Sequence, residues 1–174
     1  MNGFMSAMGG MPSGDLCPGL SQLKGEHTPL IKMLDRIVSL TEQIAKESEI
    51  EQSFAELKID VTTFISELDP HSVREEGVLF PMLGAYIGTT SGPIAAMEYE
   101  HEQAKSLISD FRAKAEISQL STEEMKNLSE IVKNAYDVLI QHFSKEENVL
   151  FPMAERMLTD EEKDELFTRI QEIK

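Results

Sequence analysis

The chain contains two copies of a short motif in which a histidine is followed by glutamates. Residues 71–82 (HSVREEGVLFPM) and residues 142–153 (HFSKEENVLFPM) are identical at eight of twelve positions. In both copies the first glutamate follows the histidine by four residues, about one turn of an α-helix, so both side chains lie on one face and can reach one metal ion. The two pairs are His71 with Glu75 and His142 with Glu146.

A weaker repeat joins Glu26-His27 to Glu100-His101, at nearly the same offset along the chain. The two halves of the sequence therefore look like copies, and copies that pack face to face would bring the repeated residues together in the middle. The second glutamate of each strong motif follows its histidine by five residues. At about 3.6 residues per turn it points roughly 140° away, which predicts a place in an outer shell or at the surface. These second glutamates are Glu76 and Glu147.

The chain has four histidines, and each lies on the apolar face of a different predicted helix. A single buried histidine is more often a hydrogen-bonded core residue than a ligand. Four of them with two glutamates need a common partner, because unpaired buried polar groups cost about 1–3 kcal/mol each. Imidazole and carboxylate suit iron, manganese or zinc, and carboxylates from opposite helices can bridge two metal ions. The predicted metal ligands are His27, His71, Glu75, His101, His142 and Glu146.

Apolar residues at three- and four-residue spacing predict the helices that must position these ligands. In the first helix the predicted buried face includes Ile31 and Val38. The second helix is expected to be interrupted at Asp69-Pro70, because the residue before a proline disfavours helical geometry. A capping box that begins at Thr159 predicts a short last helix. The expected helices cover about residues 20–46, 50–68 resuming at 71–86, 94–115, 122–157 and 161–173.

This pattern predicts an all-α fold, an antiparallel up-and-down four-helix bundle with a short additional C-terminal helix, because short loops place consecutive helices side by side. Residues 1–19 are expected to be a flexible N-terminal tail, and residues 20–174 a single domain. The apolar run in each strong motif is expected to be core, with Val78 and Val149 turned toward the metal.

Charge and composition limit the possible partners. The formal net charge is −15, which disfavours nucleic acid and anionic membrane surfaces. The sequence contains no apolar run of roughly 18 residues that could span a membrane, and its first residues do not resemble a signal peptide. Cys17 is the only cysteine, which excludes an intramolecular disulfide or a thiolate cluster. We therefore expect a cytoplasmic protein without nucleic-acid or membrane partners.

Over about residues 20–157 the chain resembles the hemerythrin-like, or HHE cation-binding, family. The resemblance is carried by Glu26-His27, Glu100-His101 and the two strong motifs, which agree with the family in order, spacing and helix placement. It implies a centre of two non-haem iron ions, with manganese or zinc as possible substitutes, on the six ligands named above. It also implies bridging carboxylates and a small diatomic ligand, oxygen or nitric oxide, or a role in sensing iron or redox state.

One position departs from the oxygen-carrying members of this family. They have a second histidine one turn after the third-helix histidine, and here that position is Lys105. Water, Glu98 or Glu102 could supply the missing ligand, and Glu98, three residues before His101, is the better placed of the two glutamates. Fewer imidazole ligands argue against reversible oxygen carriage and for a more open site.

The sequence leaves three functional hypotheses. The favoured one is a protein that binds or senses a small molecule, iron or redox state. The second is a di-iron enzyme that acts on peroxide or nitric oxide, or an iron donor for the repair of iron–sulfur clusters, because an open metal position supports Lewis-acid and redox chemistry. The third is a helical interaction module whose buried histidines bind no metal.

Overall fold

The computed structural model describes residues 16–174, and these residues form helices and short connections without a strand. The prediction of an all-helical fold is confirmed. The first fifteen residues of the predicted flexible tail lie outside the described part, and the first helix begins two residues earlier than expected, at Pro18. The α-helices are α1 (Pro18–Ala45), α2 (Ile50–Arg74), α3 (Phe80–Ile87), α4 (Gly92–Ala115), α5 (Thr122–Lys145), α6 (Phe151–Met157) and α7 (Asp160–Gln171).

Two wider, π-helical turns join α2 to α3 and α5 to α6. The first π turn is Glu75–Leu79 and the second is Glu146–Leu150, so each begins at the first glutamate of a strong motif. Each ends two residues before a proline, which has no N–H to donate to the preceding turn. A π turn advances less around the helix axis per residue than an α turn. Consecutive glutamates therefore diverge less here than regular α-helical geometry predicts.

The expected interruption at Asp69-Pro70 was wrong, because α2 continues through Pro70. A proline inside a helix removes one backbone hydrogen bond. Leu68 and His71 are nevertheless both buried beside it, so packing on the interior face holds the helix together across this point. In α1 most of the predicted buried face is confirmed, but Leu30 and Ile37 are buried in place of Ile31 and Val38, which are only partly buried.

The four long helices, α1, α2, α4 and α5, pack mainly as α1 against α2 and α5, and α4 against α5. The helix starts at Ser121 and Thr159 both have complete capping boxes, as the sequence indicated. The last helix, α7, packs on α1 and on the first π turn. None of the helices within residues 16–174 is long and apolar enough to cross a membrane.

Two apolar clusters divide the interior. One contains Leu30, Leu68, Ala104 and Leu139, and the other contains residues such as Leu23. On α1 and α4 the histidine lies between residues of the two clusters, and after α2 and α5 the second cluster begins in the π turn that follows the helix. The polar residues of the candidate site are therefore enclosed by hydrocarbon on both sides along the helix axes.

Candidate metal centre

All six residues predicted as metal ligands are buried at one place in the interior, each with at most 2% of its surface exposed. The four long helices contribute one histidine each, and the two π turns contribute one glutamate each. The repeated motifs thus meet in the middle of the helices, as expected from the internal repeat. The residues brought together are His27, His71, Glu75, His101, His142 and Glu146.

The six side chains form two overlapping groups of potential metal-binding atoms. The first group contains His27 and His71, the second contains His101 and His142, and both groups contain Glu75 and Glu146. Within each group the ligand atoms lie within 4.8 Å of one another. Two carboxylates that belong to both groups are the arrangement expected of ligands that bridge two ions.

The distances between imidazole and carboxylate atoms follow the same pattern in both halves. Oε1 of Glu75 lies 3.2 Å from Nε2 of His71 and 3.4 Å from Nε2 of His101. Oε1 of Glu146 lies 3.1 Å from Nε2 of His27 and 3.3 Å from Nε2 of His142. Each shared glutamate therefore lies between the histidine of its own motif and a weaker-repeat histidine from the other half of the chain. This second histidine is His101 for Glu75 and His27 for Glu146.

The outer nitrogen of every histidine is held by a second carboxylate. Nδ1 lies 2.8 Å from the carboxylate oxygen in the pairs His27–Glu147 and His71–Glu26, 2.7 Å in His101–Glu76 and 3.2 Å in His142–Glu100. A carboxylate accepts a hydrogen bond, so Nδ1 carries a proton, and in the neutral form of an imidazole held in this way Nε2 presents a lone pair to the centre of the site. This is the outer arrangement that fixes the orientation of metal-binding histidines.

Glu76 and Glu147 occupy the outer positions that the sequence predicted for them. The roles of Glu26 and Glu100 were missed, although both stood in the weaker Glu-His repeat. Each binds the histidine of the neighbouring helix and not the adjacent one. The repetition of a glutamate before each histidine was the available signal, but its partner depends on how the helices pack.

The central atoms of the site provide the test of whether a metal fits. The four Nε2 atoms and all four oxygens of Glu75 and Glu146 are buried without a hydrogen-bond partner among the described residues. Leaving such groups unsatisfied costs about 1–3 kcal/mol each, so a cluster of this size needs a ligand. Nitrogen and oxygen donors without thiolate match iron, manganese or zinc. The residues present therefore fit a metal pair.

The two shared glutamates have opposite pKa shifts. Burial raises the pKa of Glu146, and the carboxylate of Glu75 raises it further. Burial also acts to raise the pKa of Glu75, but the positive charge of His71, together with the contacts of Glu75 with Glu146, His101 and His71, outweighs it and holds this pKa well below the ordinary range. Burial alone would lower the pKa of His71, yet Glu75 and Glu26 raise it to about 9. Protons therefore neutralise part of the cluster, and a metal ion that binds there must displace them.

Aromatic rings cover the site. His27 stacks on Phe143, with ring centroids 4.4 Å apart, and on Phe151 at 5.7 Å, while His101 stacks on Phe80 at 6.0 Å. These phenylalanines are buried and exclude water from the imidazoles.

The two valines of the strong motifs do not behave alike. Val78 is buried as expected, whereas the expectation for Val149 was wrong, because half of its surface is exposed.

The missing histidine of the third long helix is not replaced by a nearby glutamate. Glu98 and Glu102 are both exposed, so the expectation that Glu98 could complete the ligand set is not supported. On α4 these residues point away from the buried face that carries His101. Lys105 extends toward the outer shell, with Nζ 4.0 Å from an oxygen of Glu76, the carboxylate that holds His101.

A small surface cavity reaches one of the histidines. It has a volume of about 120 Å³ and lies between α1 and α2, where each helix contains a proline. His71 forms part of its wall, and the acidic side chains Glu26 and Glu67 lie beside it. Arg74 also lines this cavity, so its wall carries both acidic and basic side chains beside the first group.

Comparison with known proteins gives the family. A family model described as the hemerythrin HHE cation binding domain matches residues 19–154. Similar curated proteins include those called iron-sulfur cluster repair protein YtfE in Salmonella schwarzengrund (strain CVM19633) and Salmonella newport (strain SL254). Each is 30% identical over 146 residues, which are 72% of this chain and 66% of the relative. The chain thus spans slightly less than two thirds of these relatives. No solved structure matches it. Because the family model covers most of the chain, the chain belongs to the hemerythrin HHE cation-binding domain family of metal-binding proteins.

Proposed function

We propose that the buried cluster holds two non-haem iron ions. His27 and His71 would bind one ion, His101 and His142 the other, and Glu75 and Glu146 would each contribute to both. The observation that carries this proposal is the set of buried Nε2 and carboxylate atoms that have no other partner among the described residues. We further propose that the long helices form an antiparallel up-and-down bundle within one domain, residues 20–174, with α7 added at its end.

An iron pair bound here would supply redox chemistry, Lewis acidity and binding positions for small molecules, and manganese or zinc could take the same donors. The chain itself does four things. Its histidines and central glutamates provide nitrogen and oxygen ligands, its outer carboxylates keep each Nδ1 protonated, and its phenylalanines exclude water. Its outer acidic groups also lower the energy of a cation near the site.

For the biological role we propose the donation of iron during the repair of iron–sulfur clusters. This proposal is supported by the similar Salmonella proteins, which are called iron-sulfur cluster repair proteins. The sequence alone favoured binding or sensing. The comparisons instead favour iron donation, which was part of the second hypothesis.

The second candidate is the binding or sensing of oxygen or nitric oxide. The dry aromatic shell around His27 and His101 favours it, because such a shell protects a bound small molecule from water. The cytoplasmic location and the absence of nucleic-acid partners stay predictions.

The metal itself is tested first. Protein produced with ample iron is analysed for metal content and for iron–ligand charge-transfer bands in the visible and near-ultraviolet spectrum. About two irons per chain would support the paired site. Protein that acquires no iron, manganese or zinc, and melts at the same temperature with and without them, would support the metal-free interaction module instead.

An iron-transfer experiment then distinguishes iron donation from the binding or sensing of a small molecule. Iron-loaded protein is mixed with an iron–sulfur protein whose cluster has been damaged, together with sulfide and a reductant, and recovery of the cluster spectrum is followed. Iron donation predicts recovery in step with loss of iron from this chain. A stable adduct with nitric oxide, full retention of iron and no recovery would support the sensing role.

A further inference from the structure

Arg74 connects the last helix to the outer shell of the candidate metal centre. It is the last residue of α2 and precedes Glu75. Its Nη1 lies 3.0 Å from Oε2 of Glu26, and its Nε and Nη2 donate to the carbonyl oxygen of Ile173 at 3.2 and 3.0 Å. The other oxygen of Glu26 accepts from Nδ1 of His71. A continuous set of hydrogen bonds therefore runs from the segment after α7 to a candidate metal ligand.

The segment that Arg74 binds is itself firmly docked. Leu166 and Ile170 of α7 are fully buried. α7 approaches α1 so closely that a Cβ atom on Gly19 would lie 2.9 Å from Cγ of Leu166. Gln171 also donates to the side chain of Gln22 on α1 at 2.6 Å. The carbonyl of Ile173 is thus a fixed acceptor, and it restricts the position of the guanidinium.

The equivalent position in the other half of the repeat is occupied by a lysine. Lys145 precedes Glu146 as Arg74 precedes Glu75, and it pairs with Glu100, the carboxylate that holds His142. Lys145 is 49% exposed, against 18% for Arg74, and no backbone carbonyl in the described part of the chain accepts from it. Lysine is a flexible point charge, whereas the guanidinium presents several donors in a fixed plane.

The exposure of the outer carboxylates themselves does not follow one direction, since Glu100 is 15% exposed and Glu26 is 22% exposed. Glu76, which holds His101, is 35% exposed, whereas Glu147, which holds His27, is 28% exposed. The cation next to Glu76 is Lys105, at the limit of ion-pair distance. The half that contains His101 and His142 is therefore bordered by two lysines.

We propose that Arg74 is a positioning residue for His71 and thereby makes the two metal positions unequal. The ion at His101 and His142 then leaves before the ion at His27 and His71. This inference rests on the proposed two-metal site. Release of an ion requires its imidazoles to move. Moving His71 also breaks the contacts of Glu26 with Arg74, and those of Arg74 with Ile173. Moving His142 breaks only the contact of Glu100 with Lys145, a lysine that is half exposed to solvent.

For an iron donor, this inequality has a functional consequence. One ion is delivered while the other keeps the shared glutamates Glu75 and Glu146 in place. The site can then be refilled without being rebuilt from an empty cluster of buried polar groups.

The test is the kinetics of metal release from the full chain. Protein loaded with Fe²⁺ without oxygen is mixed with excess of a coloured Fe²⁺ chelator, and the absorbance of the complex is followed. We expect two phases of equal amplitude. Arg74→Met should accelerate the slow phase about 10-fold or more, the size of effect typical of lost outer-shell partners. The matched variant Lys145→Met should change the fast phase only.

Arg74→Lys separates charge from geometry. A lysine keeps the positive charge but cannot hold Glu26 and the Ile173 carbonyl in the same planar arrangement, so it should also accelerate the slow phase. Circular dichroism checks that both variants keep their helix content. Two phases that respond equally to the Arg74 and Lys145 variants, or an Arg74→Met protein with an unchanged slow phase, would overturn the inference.

A second measurement does not depend on bound metal. Hydrogen exchange in metal-stripped protein should be faster at the amides of residues 170–173 in Arg74→Met, and unchanged there in Lys145→Met. Unchanged exchange in both variants would overturn the link between Arg74 and α7. Wild-type protein that retains no metal would overturn the proposed function and this inference with it. Wild-type protein that retains two ions and releases them in one phase would overturn the inference alone.

Discussion

Replacement of Glu146 by leucine separates the stability of the fold from the capacity to bind metal. Glu146 is fully buried, both of its oxygens are without a hydrogen-bond partner among the described residues, and it belongs to both groups of candidate ligands. Leucine has a similar volume and removes the unsatisfied carboxyl group. We therefore expect Glu146→Leu to prevent loading of both metal positions and to make the metal-stripped protein more stable.

The magnitudes follow from the burial of this side chain. An unsatisfied buried polar group costs about 1–3 kcal/mol, and replacing buried charged groups by apolar residues of similar volume is often neutral or stabilising by about 1–4 kcal/mol. For a chain of this size each kcal/mol changes Tm by about 2–4 °C. Metal acts in the opposite sense, since free metal at about 100 times Kd stabilises the wild-type protein by about 2.7 kcal/mol per site.

The assay is thermal unfolding of stripped and metal-supplemented protein, together with metal analysis. Wild-type Tm should rise with metal, whereas Glu146→Leu should begin higher and not respond. Glu98→Leu is the matched control, because Glu98 is exposed and lies beside His101 in sequence. It should bind metal normally and change stability by no more than about 0.5 kcal/mol. A stripped Glu146→Leu protein that melts below wild type, or that still loads metal, would refute this reasoning.

Three further variants test other parts of the site. His71→Ala should sharply reduce metal content while circular dichroism shows nearly unchanged helix content; unchanged loading would contradict its assignment as a ligand. Glu26→Gln should weaken metal binding about 10- to 100-fold in a competition assay with a chelator, because the amide no longer holds Nδ1 of His71 as a charged acceptor. The exposed control Glu102→Gln should leave that affinity unchanged, and equal effects of the two would argue against an outer-shell role. Phe143→Ala should lower the free energy of unfolding by about 3–5 kcal/mol and make the metal more accessible to chelator; a loss below about 1 kcal/mol in urea unfolding would show that this ring does not pack as described.

The candidate ligands were predictable because their pattern is local. The four-residue spacing of His71 and Glu75, and of His142 and Glu146, fixes their common face whatever the rest of the fold does. The apolar side chains around His27 and His101 likewise placed these residues on the interior face of their helices. The prediction of these six residues required only the sequence and the geometry of one helix turn.

The features that could not be predicted depend on packing between helices. Pro70 does cost α2 one backbone hydrogen bond. The predicted interruption was wrong because the sequence does not show how well the burial of Leu68 and His71 compensates for that loss. The role of Glu26 depends on which helix lies beside α1. The exposure of Val149 depends on what packs over its turn, since α7 packs on the first π turn, where the equivalent Val78 is buried. Glu98 was placed by spacing alone, which does not show that it faces solvent.

Each π turn lies where one short motif supplies both shells. Consecutive residues already point to different sides of a regular α-helix, and a π turn changes that angle only modestly. The wider turn begins at Glu75, where the first glutamate lies among four imidazoles while the second accepts from Nδ1 of a histidine on another helix. The same turn in the second motif places Glu147 on His27. A widened turn is less favourable than an α turn and is frequent at functional sites, so its occurrence at both glutamates agrees with the proposed role of Glu75 and Glu146 as metal ligands.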